Sequence, residues 1–116
     1  MAKAAIKESS GEVETRRMAH TAAVGAFDIA VVNGQVVVAL NGSDANADTV
    51  YVYEAGNVIM PKEAGLEVKP GEKVYWNAAG GIITKTDTDA LCGRCHEYAA
   101  PDDTEVKVEL ENGAGL

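Results

Sequence analysis

Pro70-Gly71-Glu72-Lys73-Val74-Tyr75-Trp76, Ala78-Ala79-Gly80-Gly81, Ile82-Ile83-Thr84-Lys85-Thr86, Leu91-Cys92-Gly93 and Glu105-Val106-Lys107-Val108-Glu109-Leu110 follow one another in the C-terminal half of this chain and decide its fold. Each apolar run is short and is stopped by a turn before a helix could complete its third turn. Pro70-Gly71 fits the centre of a type II turn, where the glycine supplies a positive φ. The Ala/Gly run at 78–81 closes a hairpin from 73–76 onto 82–86. Residues 91–97 and 105–110, joined by Pro101-Asp102-Asp103, read as the last two strands. In the final one Val106, Val108 and Leu110 alternate with Glu105, Lys107 and Glu109, the pattern of a half-buried strand.

The same grammar extends upstream. Phe27, Ile29 and Val31 alternate with Asp28 and Ala30, and Asn33-Gly34 separates them from the apolar run 36–40. Asn-Gly between β-branched runs is a strong hairpin signal because both positions tolerate positive φ. Strands are therefore predicted over 26–32 and 35–40. After a loop at 41–49, two short strands are predicted at 50–53 and 57–60, split by Ala55-Gly56. Leu66 and Val68 are expected to anchor the looser stretch that follows. Short strands at regular spacing, without a convincing long helix, predict an all-β fold, a small antiparallel β-sandwich or barrel. Residues 1–20 are polar and lack clear periodicity. They read as an extended, flexible N-terminal arm that orders against a partner, leaving residues 21–116 as a single β domain.

The chain has 116 residues, enough for one modest core. With one Phe, one Trp and four Tyr, that core must be built mainly from Val, Ile, Leu and Ala, and oligomerisation is a natural source of further buried area. Net charge is −8, unevenly placed: residues 1–17 carry four basic and three acidic side chains, while the rest is strongly acidic. An acidic body does not attract phosphate backbones, so no nucleic-acid partner is expected. No apolar run approaches a membrane span or a secretory signal. The expected site of synthesis is a cytoplasm, where both cysteines stay reduced.

Cys92-Gly93-Arg94-Cys95-His96 matches the C-x-x-C-H pattern of c-type haem attachment, and defines an alternative reading as a small haem, redox or metal-binding module. A strand context argues against it. Residues i and i+3 of a strand point to opposite faces about 10 Å apart, beyond the roughly 7 Å that a disulfide bridges. A structural zinc site needs a fourth ligand beyond Cys92, Cys95 and His96. Strict alternation places Leu91, Gly93 and Cys95 toward the core and Cys92, Arg94 and His96 outward. Asp44-Ala45-Asn46-Ala47-Asp48 opens like an EF-hand loop, but Thr49 replaces its glycine and Ala55 its bidentate glutamate. Gly80–Thr86 contains a Lys-Thr pair without the preceding glycine of a phosphate-binding loop. Neither His20 nor His96 has a recognisable nucleophile partner, so no catalytic residue, cofactor or metal site is expected.

Pro61-Lys62, the Pro-Gly-Glu-Lys-Val-Tyr-Trp-Asn segment at 70–77, the Ala/Gly turn, the Thr-rich arm after it, Leu91-x-Gly93 and Val106-x-Val108-x-Leu110-x-Asn112-Gly113 occur in an order that resembles a family of small tailed-phage head decoration, or cement, proteins, long catalogued without a function. The resemblance covers about residues 23–113. It implies a structural protein that binds the major capsid protein on the outer face of a mature head. Such proteins are commonly homotrimers at three-fold and quasi-three-fold positions. On this resemblance the chain is not an enzyme, is synthesised in the bacterial host cytoplasm, and ends on the capsid exterior. Cys92 stands where the family usually has Ile or Val, and the first twenty residues are longer and more charged than its usual start. Lys3, Lys7, Arg16 and Arg17 are accordingly candidate capsid contacts, set against an otherwise acidic chain. Trp76 is expected to anchor the core or a subunit interface.

Overall fold

A computed structural model describes residues 3–6, 13–20, 22–32 and 34–111. Among these there is no helix, and nine strands form one antiparallel sheet. They are β1 (Ala5–Ile6), β2 (Val13–Ala19), β3 (Ile29–Val32), β4 (Gln35–Ala39), β5 (Asp48–Pro61), β6 (Lys73–Asn77), β7 (Ile82–Thr84), β8 (Ala90–Glu97) and β9 (Glu105–Leu110). The path through the sheet is β3-β4-β5-β9-β8-β6-β7, with β1 and β2 pairing along β5. The sheet curls into a half-barrel: Lys62, just past β5, forms a parallel bridge with Ile83 of β7. All-β architecture thus holds, in the form of one curled sheet.

The hairpin signals act as their chemistry requires. Val32 pairs with Gln35 across a two-residue turn in which Gly34 has φ 80°; Asn33 lies outside the described residues. Gly71 takes φ 87° and the Glu72 N–H donates to Lys69 O, closing the turn around Pro70-Gly71. The loop 78–81 joins Asn77 to Ile82, with the Gly81 N–H donating to Asn77 O at 2.8 Å.

Two expectations fail at β-bulges. Ala55-Gly56 does not split β5, which runs for 14 residues. Ala55 pairs with Leu110 and Val58 with Val108, so Gly56 and Asn57 together face only Glu109 and the extra residue is absorbed within the strand. In β8 the bulges rephase the side chains. Tyr75 pairs with Leu91 and Val74 with Gly93, which leaves Cys92 as the extra residue; His96 is extra in the same way between Cys95 and Glu97. Before Cys92 the even positions face inward (Ala90, Cys92), and after it the odd ones do (Gly93, Cys95). The thiols therefore do not lie on opposite faces. Both are buried, and Leu91 lies outside the core.

Residues 13–19, expected within the arm, are a strand whose ordering partner in this structure is the chain's own β5. Thr15, Arg17 and Ala19 of that strand are exposed, and Met18 packs partly on the core.

The main core fills the curl with Ile29, Val36, Val38, Val58, Met60, Val74, Trp76, Ile83, Val106, Val108 and Leu110 among others. A smaller cluster, Val24, Ala30, Val32, Val37, Ala39 and Tyr51, covers the opposite face of β3-β4-β5. The β3-β4 hairpin is apolar on both faces for this reason, and its two strands read as continuous Val/Ala/Ile runs. No helix among the described residues is long and apolar enough to cross a membrane.

Candidate functional site

The Cys92–His96 segment carries the sharpest chemical motif, and its geometry is that of packing. Cys92 is fully buried, its thiol 3.7 Å from Met60 Sδ. Burial pushes that thiol up to about 12, because a thiolate there would lose its hydration without gaining a counter-charge. The Cys95 thiol is also raised, first by burial, and then by Glu72, Glu109 and Glu97 acting against a hydrogen bond to Glu97 O at 2.9 Å. His96 turns the other way, exposed, with Nδ1 3.5 Å from Glu109 Oε1. Haem attachment requires both thiols to reach a macrocycle beside the histidine. A Cys92 with no exposed surface, on the far side of the strand from His96, does not meet that requirement. Among the described residues no three His, Cys, Asp or Glu side chains are grouped to hold a metal ion.

Gly93 locks this arrangement. A Cβ at 93 would sit 1.9 Å from Glu109 O, so β8 and β9 approach at a distance only glycine permits.

Of the N-terminal cations, Lys3 is held by the chain's own groups. Lys3 Nζ lies 2.6 Å from Asp28 Oδ1 and donates to Ala26 O at 3.2 Å. Burial alone would raise the Asp28 carboxyl; the Lys3 hydrogen bond, the Gly25 N–H and the Lys3 charge outweigh it and hold the group below its usual value. Arg16 pairs with Tyr51 and Arg17 with Val50 along β5, and Arg17 is exposed. Lys7 lies outside the described residues. Trp76, opposite Ile83 and Ala90 in the sheet, is only 3% exposed and belongs to the main core.

Two features escaped the sequence reading. Lys62 is 5% exposed and has no carboxylate partner among the described residues. Its ammonium donates to three backbone carbonyls: Glu63 O at 3.1 Å, Leu66 O at 2.5 Å and Pro101 O at 3.5 Å. This cage ties the stretch after β5 to the turn before β9, and two backbone contacts join the same segments, Gly65 N–H to Pro101 O and the Val68–Ala99 bridge. Its sequence signal is the inward alternation of β5, Val58 and Met60, continued to position 62. The second feature is Tyr98, half exposed beside a groove between the end of β8 and the start of β9.

The site is thus a set of surfaces around one curled sheet, with both thiols taken up in its packing. The phage cement protein family matches residues 9–110, from before β2 to the end of β9. The chain belongs to the phage cement protein family. No curated protein and no solved structure matches it. Membership carries a structural role associated with the phage capsid, and gives its surfaces more weight than its thiols.

Proposed function

We propose that this cement protein binds the outer surface of the mature head as a homotrimer at three-fold and quasi-three-fold positions, contacts the major capsid protein, and stabilises the shell without catalysis. The observation that carries the reading is the family match across 9–110, which takes in every strand from β2 to β9. Physical considerations support it. The core is dominated by valines, and a small protomer of that kind gains buried area by self-association. Three linked copies bind a lattice with an avidity that one copy lacks. Lys3, Lys7, Arg16 and Arg17 remain the proposed capsid contacts, with Lys3 already engaged by Asp28.

The test is a reconstruction by electron cryomicroscopy of heads lacking the protein, before and after adding it. Three-lobed density on the exterior at the three-fold positions is expected. Unchanged heads, or density only inside the shell, would refute the proposal. Deleting residues 1–17 without loss of head binding would remove the N-terminal cations from it.

A further inference from the structure

Tyr98 is one of two large apolar side chains left well exposed among the described residues, at 50%. It borders a groove of about 300 Å³ whose other lining includes Ile59, Glu97, Asp103, Glu105 and Lys107. The Tyr98 hydroxyl donates to Glu67 Oε2 at 2.7 Å, which fixes the ring on the rim. Lys107 is spent on Glu97 at 2.6 Å, so the groove keeps a surplus of negative charge from Asp103 and Glu105. The Lys62 cage joins the segments on either side of the rim. A preorganised aromatic surrounded by carboxylates suits a guanidinium, which stacks on the ring and pairs with the oxygens.

Such a guanidinium stands at the opposite end of β5. Arg17 is exposed on β2 between Thr15 and Ala19, whose small side chains leave it prominent, and it makes no ion pair among the described residues. Arg17 pairs with Val50 whereas the groove rests on Ile59, about 30 Å further along the strand. One protomer therefore presents an acidic aromatic groove and a cationic strand face at opposite ends.

We propose that the Tyr98 groove is a docking surface for a second copy of this chain, receiving Arg17 of its β2 in a head-to-tail contact. Opposite charges favour this pairing and steer it, whereas groove against groove would set carboxylates against carboxylates. Different surfaces meet, so the contact is heterologous and closes into a ring when the rotation permits. The inference rests on the trimeric reading above, and moves Arg17 from the capsid to the neighbouring copy.

The experiment measures the mass of the full chain across concentration by sedimentation, for wild type, Arg17→Glu, Glu105→Arg and the double reversal, with head binding followed in parallel. Each single reversal is expected to weaken assembly roughly tenfold or more, and the double variant to recover most of it. Circular dichroism matching wild type shows that the surface changes leave the sheet intact. The contact is overturned when both single variants assemble like wild type, when the double variant fails to recover, or when the wild-type chain stays monomeric. A monomer that still decorates heads leaves capsid binding standing without this contact. Charge-sensitive trimers that leave heads bare do the reverse.

Discussion

β8 and β9 lie side by side, yet they obey different rules. β9 alternates strictly, with Val106, Val108 and Leu110 buried and Glu105, Lys107 and Glu109 turned toward solvent. β8 changes phase at Cys92 and again at His96, so that Cys92 and Cys95, three residues apart, both enter the core. A regular strand can be read from its period because each side chain's face follows from its neighbour's. A bulged strand cannot, because one extra residue inverts every assignment after it. The first inversion lies against β6, and directly after it Gly93 approaches the Glu109 carbonyl more closely than any side chain would allow.

That contrast can be broken most forcefully at Gly93. Gly93→Ala places a methyl group against backbone that cannot swing away, and should cost about 3 kcal/mol. Glu105→Ala on the exposed side of β9 should stay within about 0.5 kcal/mol. Equilibrium urea unfolding reads both, and a Gly93→Ala loss as small as the control would mean that the two strands part freely.

The two thiols provide a finer probe. Cys92→Ser buries a hydroxyl beside a thioether and should lose about 2 kcal/mol. Cys95→Ser should lose under about 1 kcal/mol, because its hydroxyl inherits Glu97 O as an acceptor. Equal shifts of the urea midpoints would show that the bulge does not place the two sulfurs in different surroundings.

Titration sharpens the same point. Cys92 is pushed up to about 12 from an ordinary 9.0. Above pH 9 the unfolded thiol releases its proton while the folded one keeps it, so the folded state binds more protons. The stabilising contribution is complete below pH 9 and declines as pH rises toward 12. Unfolding measured from pH 8 to 11 should show a shallower alkaline decline for Cys92→Val than for wild type. Identical slopes would place the thiol in water.

The smallest effect is expected on the outer face, where β8 meets β9 regularly again through Lys107 and Glu97. Lys107, by its hydrogen bond and then its charge, holds the Glu97 carboxyl below its usual value. That contribution exists above the ordinary carboxylate range and disappears as pH falls through the folded value. Both groups are well exposed, so Lys107→Met should shift the urea midpoint only at low salt. A shift that persists at high salt would show a pair less solvated than its exposure indicates.

The turns were legible because their chemistry is local. Gly34, Gly71 and Gly81 take positive φ where the sequence places them, and the strands they join lie within a residue or two of expectation, except over 26–28 and 85–86. The inward set of β9 was legible for the same reason. Lys62 was missed because a lysine reads as surface; only the fold brings three carbonyls around its ammonium. β2 was missed because it has little apolar pattern and is held largely by backbone pairing to β5. The Tyr98 groove joins β5, the end of β8 and the start of β9, which no short window of sequence contains.

Sequence alone determined an all-β chain, its turns, its acidic balance and a likeness to phage cement proteins, because backbone preference, charge and motif order are properties of neighbours. The tertiary structure decided that both thiols face inward, that Lys62 is caged, and that β2 lies on β5. Those outcomes depend on contacts between segments distant in the chain: a bulge is set by the strand beside it, and a buried charge by carbonyls from other loops.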